Sequence, residues 1–121
     1  MATVRYIVRD VSAATDFYVG KLGFEVVQAL GPAMAIVRLG DLTLWLAGPA
    51  ASASRPMADG RQPEPGGWNR IVIETHALQA LVASLKAAGV PFRNEIVTGP
   101  GGRQILCEDP SGNVVELFQP G

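Results

Sequence analysis

Few side chains in this sequence can do chemistry, and their types narrow the choice at once. His76 is the single histidine and Cys107 the single cysteine, so no site needing two imidazoles and no internal disulfide can come from one chain. His76 falls at a strand-to-helix turn beside Thr75, where solvated residues are common, and is read as non-catalytic. Cys107 has no cationic, open setting nearby that would favour a thiolate, and is read as a small core hydrophobe. Among the other polar and aromatic side chains the candidates are the guanidinium groups of Arg5 and Arg70, the carboxylate of Glu116, the amide of Gln104 and the only two tryptophans, Trp45 and Trp68. The run from Gly99 to Gly102 lacks the following helix and the Lys-Ser/Thr pair of a phosphate loop, which leaves it as a hairpin connection.

Strand alternation groups these residues. If Val4, Val8, Leu44, Leu46, Ile71, Ile73 and Leu117 face helices, then Thr3, Arg5, Trp45, Arg70, Val72, Glu116 and Phe118 face the other way, with Gln104, Leu106 and Glu108 as candidates for the same surface. A lining that is charged, polar and aromatic suits a small organic ligand with an anionic or carbonyl end and a flat apolar body. Arg5, without an evident local counter-charge, is the candidate anion contact, unless it reaches Glu95 or Glu108 or extends to the rim. Arg70 and Glu116 read either as a structural ion pair or as ligand contacts. Each tryptophan reads either as core or as a stacking platform.

The elements that must position these groups follow from periodicity. Thr3–Arg9 alternates as a strand; Asp10 caps a helix whose stripe is Val11, Ala14, Phe17, Tyr18 and Leu22, and Gly23 stops it. Three strand-like runs follow, at residues 24–30, 33–39 and 42–46. Residues 47–67 are rich in Ala, Ser, Pro and Gly and read as a flexible linker or flap. The pattern then restarts: a strand at residues 68–74, an amphipathic helix at 78–88 ended by Gly89, and strands at 92–97, 104–108 and 114–118. Two β-α-β-β-β modules, residues 1–46 and 68–121, therefore flank the linker, which implies an α+β fold with two curved, mostly antiparallel sheets facing one another.

Composition excludes several partners. Ten Lys+Arg against eleven Asp+Glu give a formal net charge of −1, no field for a phosphate backbone, so nucleic acid is not expected. The first residues lack the apolar core of a signal peptide and no run is long enough for a membrane span, so a cytoplasmic protein with no membrane partner is expected. Open sheet edges and apolar rims that one chain cannot cover point to a homodimer.

The paired modules, together with Arg9-Asp10-Val11, Asp16-Phe17-Tyr18, Leu22-Gly23-Phe24 and the closing Glu108-Asp109-Pro110-Ser111-Gly112-Asn113-Val114-Val115-Glu116-Leu117, closely resemble the vicinal oxygen chelate superfamily of glyoxalases, bleomycin-resistance proteins and extradiol dioxygenases. The resemblance spans residues 1–121 and implies a single glyoxalase-like domain. It also implies where metal-dependent members hold their ion: the four ligand positions fall here on Thr3, Trp45, Arg70 and Glu116, and only Glu116 matches. A threonine hydroxyl is a weak ligand, an indole none, and a guanidinium repels a cation, so no metal and no other cofactor is expected.

Two functions remain open. One is a small-molecule-binding protein similar in kind to the bleomycin-resistance proteins, with Arg5, Arg70, Gln104 and Glu116 as polar contacts and Trp45 or Trp68 stacking. The other is a glyoxalase-type lyase or isomerase in which Glu116 is the catalytic base and Arg70 steadies an enolate.

Overall fold

A computed structural model describes residues 2–121. Its element order is β1 (Ala2–Ile7), α1 (Val11–Leu22), β2 (Glu25–Leu30), β3 (Met34–Leu39), β4 (Leu42–Ala47), a short 3-10 turn (Ser52–Ser54), β5 (Ile71–Glu74), α2 (Leu78–Ala87), β6 (Val97–Gly99), β7 (Gly102–Glu108) and β8 (Val114–Pro120). The β-α-β-β-β order occurs twice. The chain divides into two compact units, one ending at Gly66 and one running Gly67–Gly121.

In the first unit the strands form one sheet in the order β1-β4-β3-β2, with β1 parallel to β4 and the other neighbours antiparallel. Asp10 caps α1 by accepting a hydrogen bond from Ala13 N at 3.1 Å, which satisfies one of the helix's orphan donors. Val11, Ala14, Phe17, Tyr18 and Leu22 are all buried, as their spacing along the helix requires. Gly23 ends the helix at φ 80°, a left-handed conformation that costs a glycine no Cβ clash. Phe24 then folds back against Tyr18, ring centroids 5.4 Å apart and edge to face. Leu44, Leu46, Ala35 and Val37 complete the core; the register pairs Val37 with Leu44 and Ala35 with Leu46, placing all four on the helix side.

The second unit repeats the plan, with sheet order β5-β8-β7-β6 and β5 parallel to β8. Ile71, Ile73, Ile105, Cys107, Val115 and Leu117 alternate onto the buried side, where Leu78, Val82 and Leu85 of α2 are also buried. No side chain of its own N-cap residue, Ala77, starts α2. Gln119, at the end of β8, supplies the acceptor instead, its Oε1 taking Leu78 N at 2.9 Å. The Asp109–Asn113 turn is closed by the Asp109 carboxylate, whose Oδ1 accepts from Ser111 N and Asn113 N, each at 2.9 Å, and whose Oδ2 accepts from Asn113 Nδ2 at 3.0 Å. That closing motif is a structural device that aims β8.

Two expectations change. Residues 92–97 are not a strand: Phe92 makes an isolated bridge to Cys107, and β6 begins only at Val97. Asn94 Oδ1 occupies the Leu106 amide at 3.0 Å, so a side chain takes the donor that a strand neighbour would have used. Trp68 to Arg70 precede β5 instead of opening it, consistent with the positive φ values of Gly66 and Gly67 just before them. Within residues 47–67 there is local order that composition does not signal: the Ser52–Ser54 turn, a Ser54 Oγ bond to Gly48 O at 2.7 Å, and a Met57–Arg61 turn closed by Met57 N to Arg61 O at 2.7 Å.

Candidate functional site

Each sheet has one face turned away from its buried side, and the register shows what stands there. In the second unit Val72, Glu116 and Leu106 form one row across β5, β8 and β7, and Glu74, Phe118 and Gln104 form the next. Arg70, one residue before β5, reaches Glu116 with two nitrogens: Nε lies 3.1 Å and Nη2 3.0 Å from Oε1. Glu116 is buried at 8% exposure, while the Arg70 side chain keeps 30%. The ion pair is thus solvated on the arginine side and enclosed on the carboxylate side. Arg70 Nη1 also donates to the Trp68 carbonyl at 3.2 Å.

From Trp68 the network continues. Its indole lies 4.5 Å from the guanidinium carbon of Arg93, a cation–π distance. Arg93 Nε donates to Glu108 Oε2 at 2.7 Å, Nη1 to Gly67 O at 2.7 Å and Nη2 to Gly112 O at 3.0 Å. Glu116, Arg70, Trp68, Arg93 and Glu108 thus follow one another, Trp68 meeting Arg70 through its carbonyl and Arg93 through its indole. Trp68 is 67% exposed, so of its two readings the core one fails.

The first unit carries the same kind of chemistry on its own open face. Arg5 and Trp45 are register partners across β1 and β4, and the Arg5 guanidinium sits 4.9 Å from the Trp45 ring centroid. The expected alternatives for Arg5, Glu95 and Glu108, are otherwise engaged: Glu95 faces Lys86 at 3.8 Å and Glu108 pairs with Arg93. Arg5 and Val72 are equivalent positions of the repeat, each five residues before its helix N-cap, Asp10 and Ala77. Their β4 and β8 partners, Trp45 and Glu116, are therefore equivalent too. One repeat position holds an indole, the other a carboxylate.

A family model described as "Glyoxalase/Bleomycin resistance protein/Dioxygenase superfamily" matches residues 1–117. The chain belongs to this superfamily. Among solved structures, a superfamily member from Sphaerobacter thermophilus DSM 20745 is 30% identical with a TM-score of 0.77, covering 98% of this chain and 95% of that one. An antibiotic binding protein from Streptomyces sp. CB03234 is 28% identical, TM-score 0.73, with 98% and 93% covered. A lactoylglutathione lyase from Agrobacterium tumefaciens, at 22% identity and TM-score 0.78 over 98% and 92%, shares the fold. No curated protein sequence matches the chain.

The metal that some superfamily members hold does not fit the residues at the corresponding positions. Thr3, Trp45 and Arg70 offer no strong lone-pair donor between them, and the carboxylate of Glu116 is already neutralised by a guanidinium,. Among the described residues no group of three or more His, Cys, Asp or Glu could hold an ion. No helix among them is long and apolar enough to cross a membrane.

His76 is exposed at the turn before α2. Cys107 is fully buried, and burial pushes its thiol up to about 12, which makes it unreactive at neutral pH. Sequence reasoning missed Arg93, because residues 92–97 read as a strand in which it would be one more outward charge. It also missed a cleft of about 700 Å³ beside α1, lined by Arg9, Asp10, Ser12, Asp16, Gly31 and Pro49 among others. Asp10 is spent on its helix cap, and the cleft is lined by none of Arg5, Trp45, Trp68, Arg70, Gln104 and Glu116.

Proposed function

We propose that this chain is a small-molecule-binding member of the superfamily that works without the superfamily's metal, taking a small aromatic ligand with a carbonyl or anionic end. The observation that carries the reading is the convergence of Arg70 Nε and Nη2 on Glu116 Oε1. A base must present its carboxylate to the substrate, and here Oε1 of Glu116 is turned to Arg70 and the residue is buried,. The pair is therefore suited to orienting a ligand, with Arg70 donating from its exposed side. Arg70, Gln104, Glu116 and Trp68 are the contacts proposed in the second unit, and Arg5 and Trp45 those in the first. The likeness to an antibiotic binding protein at 28% identity supports a binding role. A cytoplasmic homodimer is the proposed form.

The lyase or isomerase reading, with Glu116 as catalytic base, has one observation in its favour: Oε2 lies outside the Arg70 pair. A thermal-shift screen in excess EDTA across small carbonyl compounds, aromatic metabolites and antibiotics tests the proposal. Hits that raise the melting temperature without being consumed support it; consumption of a carbonyl hit, abolished by Glu116→Gln, replaces it with the enzyme.

A further inference from the structure

An indole that is 67% exposed would ordinarily turn to cover itself, because solvated aromatic surface costs free energy and the two residues before it, Gly66 and Gly67, leave the backbone free to turn,. Trp68 is prevented from doing so at two points. Its carbonyl is held by Arg70 Nη1, and its ring rests on Arg93. Arg93 cannot yield, since its three nitrogens are fixed by a β7 carboxylate, by the carbonyl of Gly67 and by the carbonyl of Gly112, and its side chain is only 17% exposed. A planar fork with acceptors on three sides has a fixed plane. Whatever stacks on that plane is fixed with it.

Resting on the binding role proposed above, we infer that Arg93 is a positioning residue that holds Trp68 as a one-faced stacking platform for a planar aromatic carboxylate. One ring face is taken by the guanidinium, which leaves the other for a ligand. A cation already on the indole draws on its π density and repels a second cation, so a cationic aromatic is disfavoured on the open face. The carboxylate preference comes from Arg70 next door: its contacts to Glu116 and to the Trp68 carbonyl do not exhaust the donors of its fork. A flat ring on Trp68 with an acidic group toward Arg70 satisfies both.

The probes are 1-naphthoate and 1-methylquinolinium, alike in size and opposite in charge, titrated by calorimetry. Wild type should bind naphthoate and take quinolinium at least about tenfold more weakly. Arg93→Met should lose about tenfold in naphthoate affinity and Arg93→Lys less, because lysine keeps the charge but not the fork. Arg93→Met combined with Glu108→Gln, which strands no carboxylate, serves if the single variant does not fold. In a Trp45→Phe background, where Trp68 is the sole tryptophan, Arg93→Met should raise acrylamide quenching and lower the anisotropy of Trp68 emission, changes that a loss of stability alone would not produce in the folded protein.

Equal affinity for both probes would overturn the ligand class. Unchanged naphthoate affinity and quenching in the folded Arg93 variants, with binding abolished by Trp68→Ala, would overturn the role of Arg93 and leave the binding reading standing. A wild type that ignores naphthoate but binds another compound of the screen would overturn the platform alone. A wild type that binds nothing would overturn both.

Discussion

Arg70 and Glu116 meet through a single carboxylate oxygen, with Nε at 3.1 Å and Nη2 at 3.0 Å from Oε1. The pair joins the loop before β5 to the middle of β8, residues 46 apart in sequence, and does so at a position where the other half of the repeat has Trp45. A charged pair and an indole are thus alternative fillings of one place in the module. The charged filling leaves donors exposed on the arginine side, which is what a ligand with an acidic or carbonyl end requires.

Removing Arg70 alone should therefore cost more stability than replacing both partners. Arg70→Met strands a Glu116 carboxylate that is 10% exposed, a loss of about 1–3 kcal/mol given that Arg70 itself is partly solvated. Arg70→Met with Glu116→Gln should recover part of it. Urea unfolding of the four proteins in a double-mutant cycle measures the coupling; additive losses would mean that the contact is not energetically significant.

Cys107 should resist alkylation by iodoacetamide at pH 8 in the folded protein and react promptly in urea, since burial holds its thiol up to about 12. The sign for stability follows: an acid raised in the folded state favours folding below its unfolded value, and that contribution is lost as pH rises from about 9 toward 12. Stability should fall over that window by on the order of 1 kcal/mol per pH unit from this group. Cys107→Ala should flatten that part of the profile, and an unchanged slope would assign it elsewhere.

The sequence made the repeat, both helices and the open-face residues legible, because these rest on short-range signals. Asp10 and Gly23 bracket α1, and alternation separates Ile71 and Ile73 from Val72 correctly. Trp68 and Arg93 were not legible together, for they are 25 residues apart and meet through glycine and turn carbonyls that have no side-chain signature. Residues 92–97 failed for a related reason. Alternation cannot show that the Asn94 side chain will take a backbone amide that strand pairing would otherwise use.

Residues 47–67 should be cut first in limited proteolysis with trypsin, at the exposed Arg61, since Pro56 blocks cleavage after the equally exposed Arg55. Its local turns close few bonds and its composition supports no apolar face. Protection by a ligand from the screen would show that the segment closes on binding. Cleavage first at Lys21 or Lys86 would contradict the reading of this segment as a flap.

Sedimentation equilibrium at micromolar concentration should give a homodimer. The edge strand β2 leaves Val26, Val27 and Leu30 45–50% exposed, an apolar edge that a monomer would leave in water. A monomer throughout that range would remove the dimer from the account.

The central claim is that ligand is held by the protein's own charged and aromatic side chains and not through a metal. The most direct measurement is the affinity of the strongest screen hit, determined by calorimetry on protein treated with excess EDTA and again after dialysis against manganese, nickel, zinc or iron. The account predicts the same affinity throughout and its loss in Arg70→Met. Binding that disappears with the chelator and returns with one equivalent of metal would contradict it.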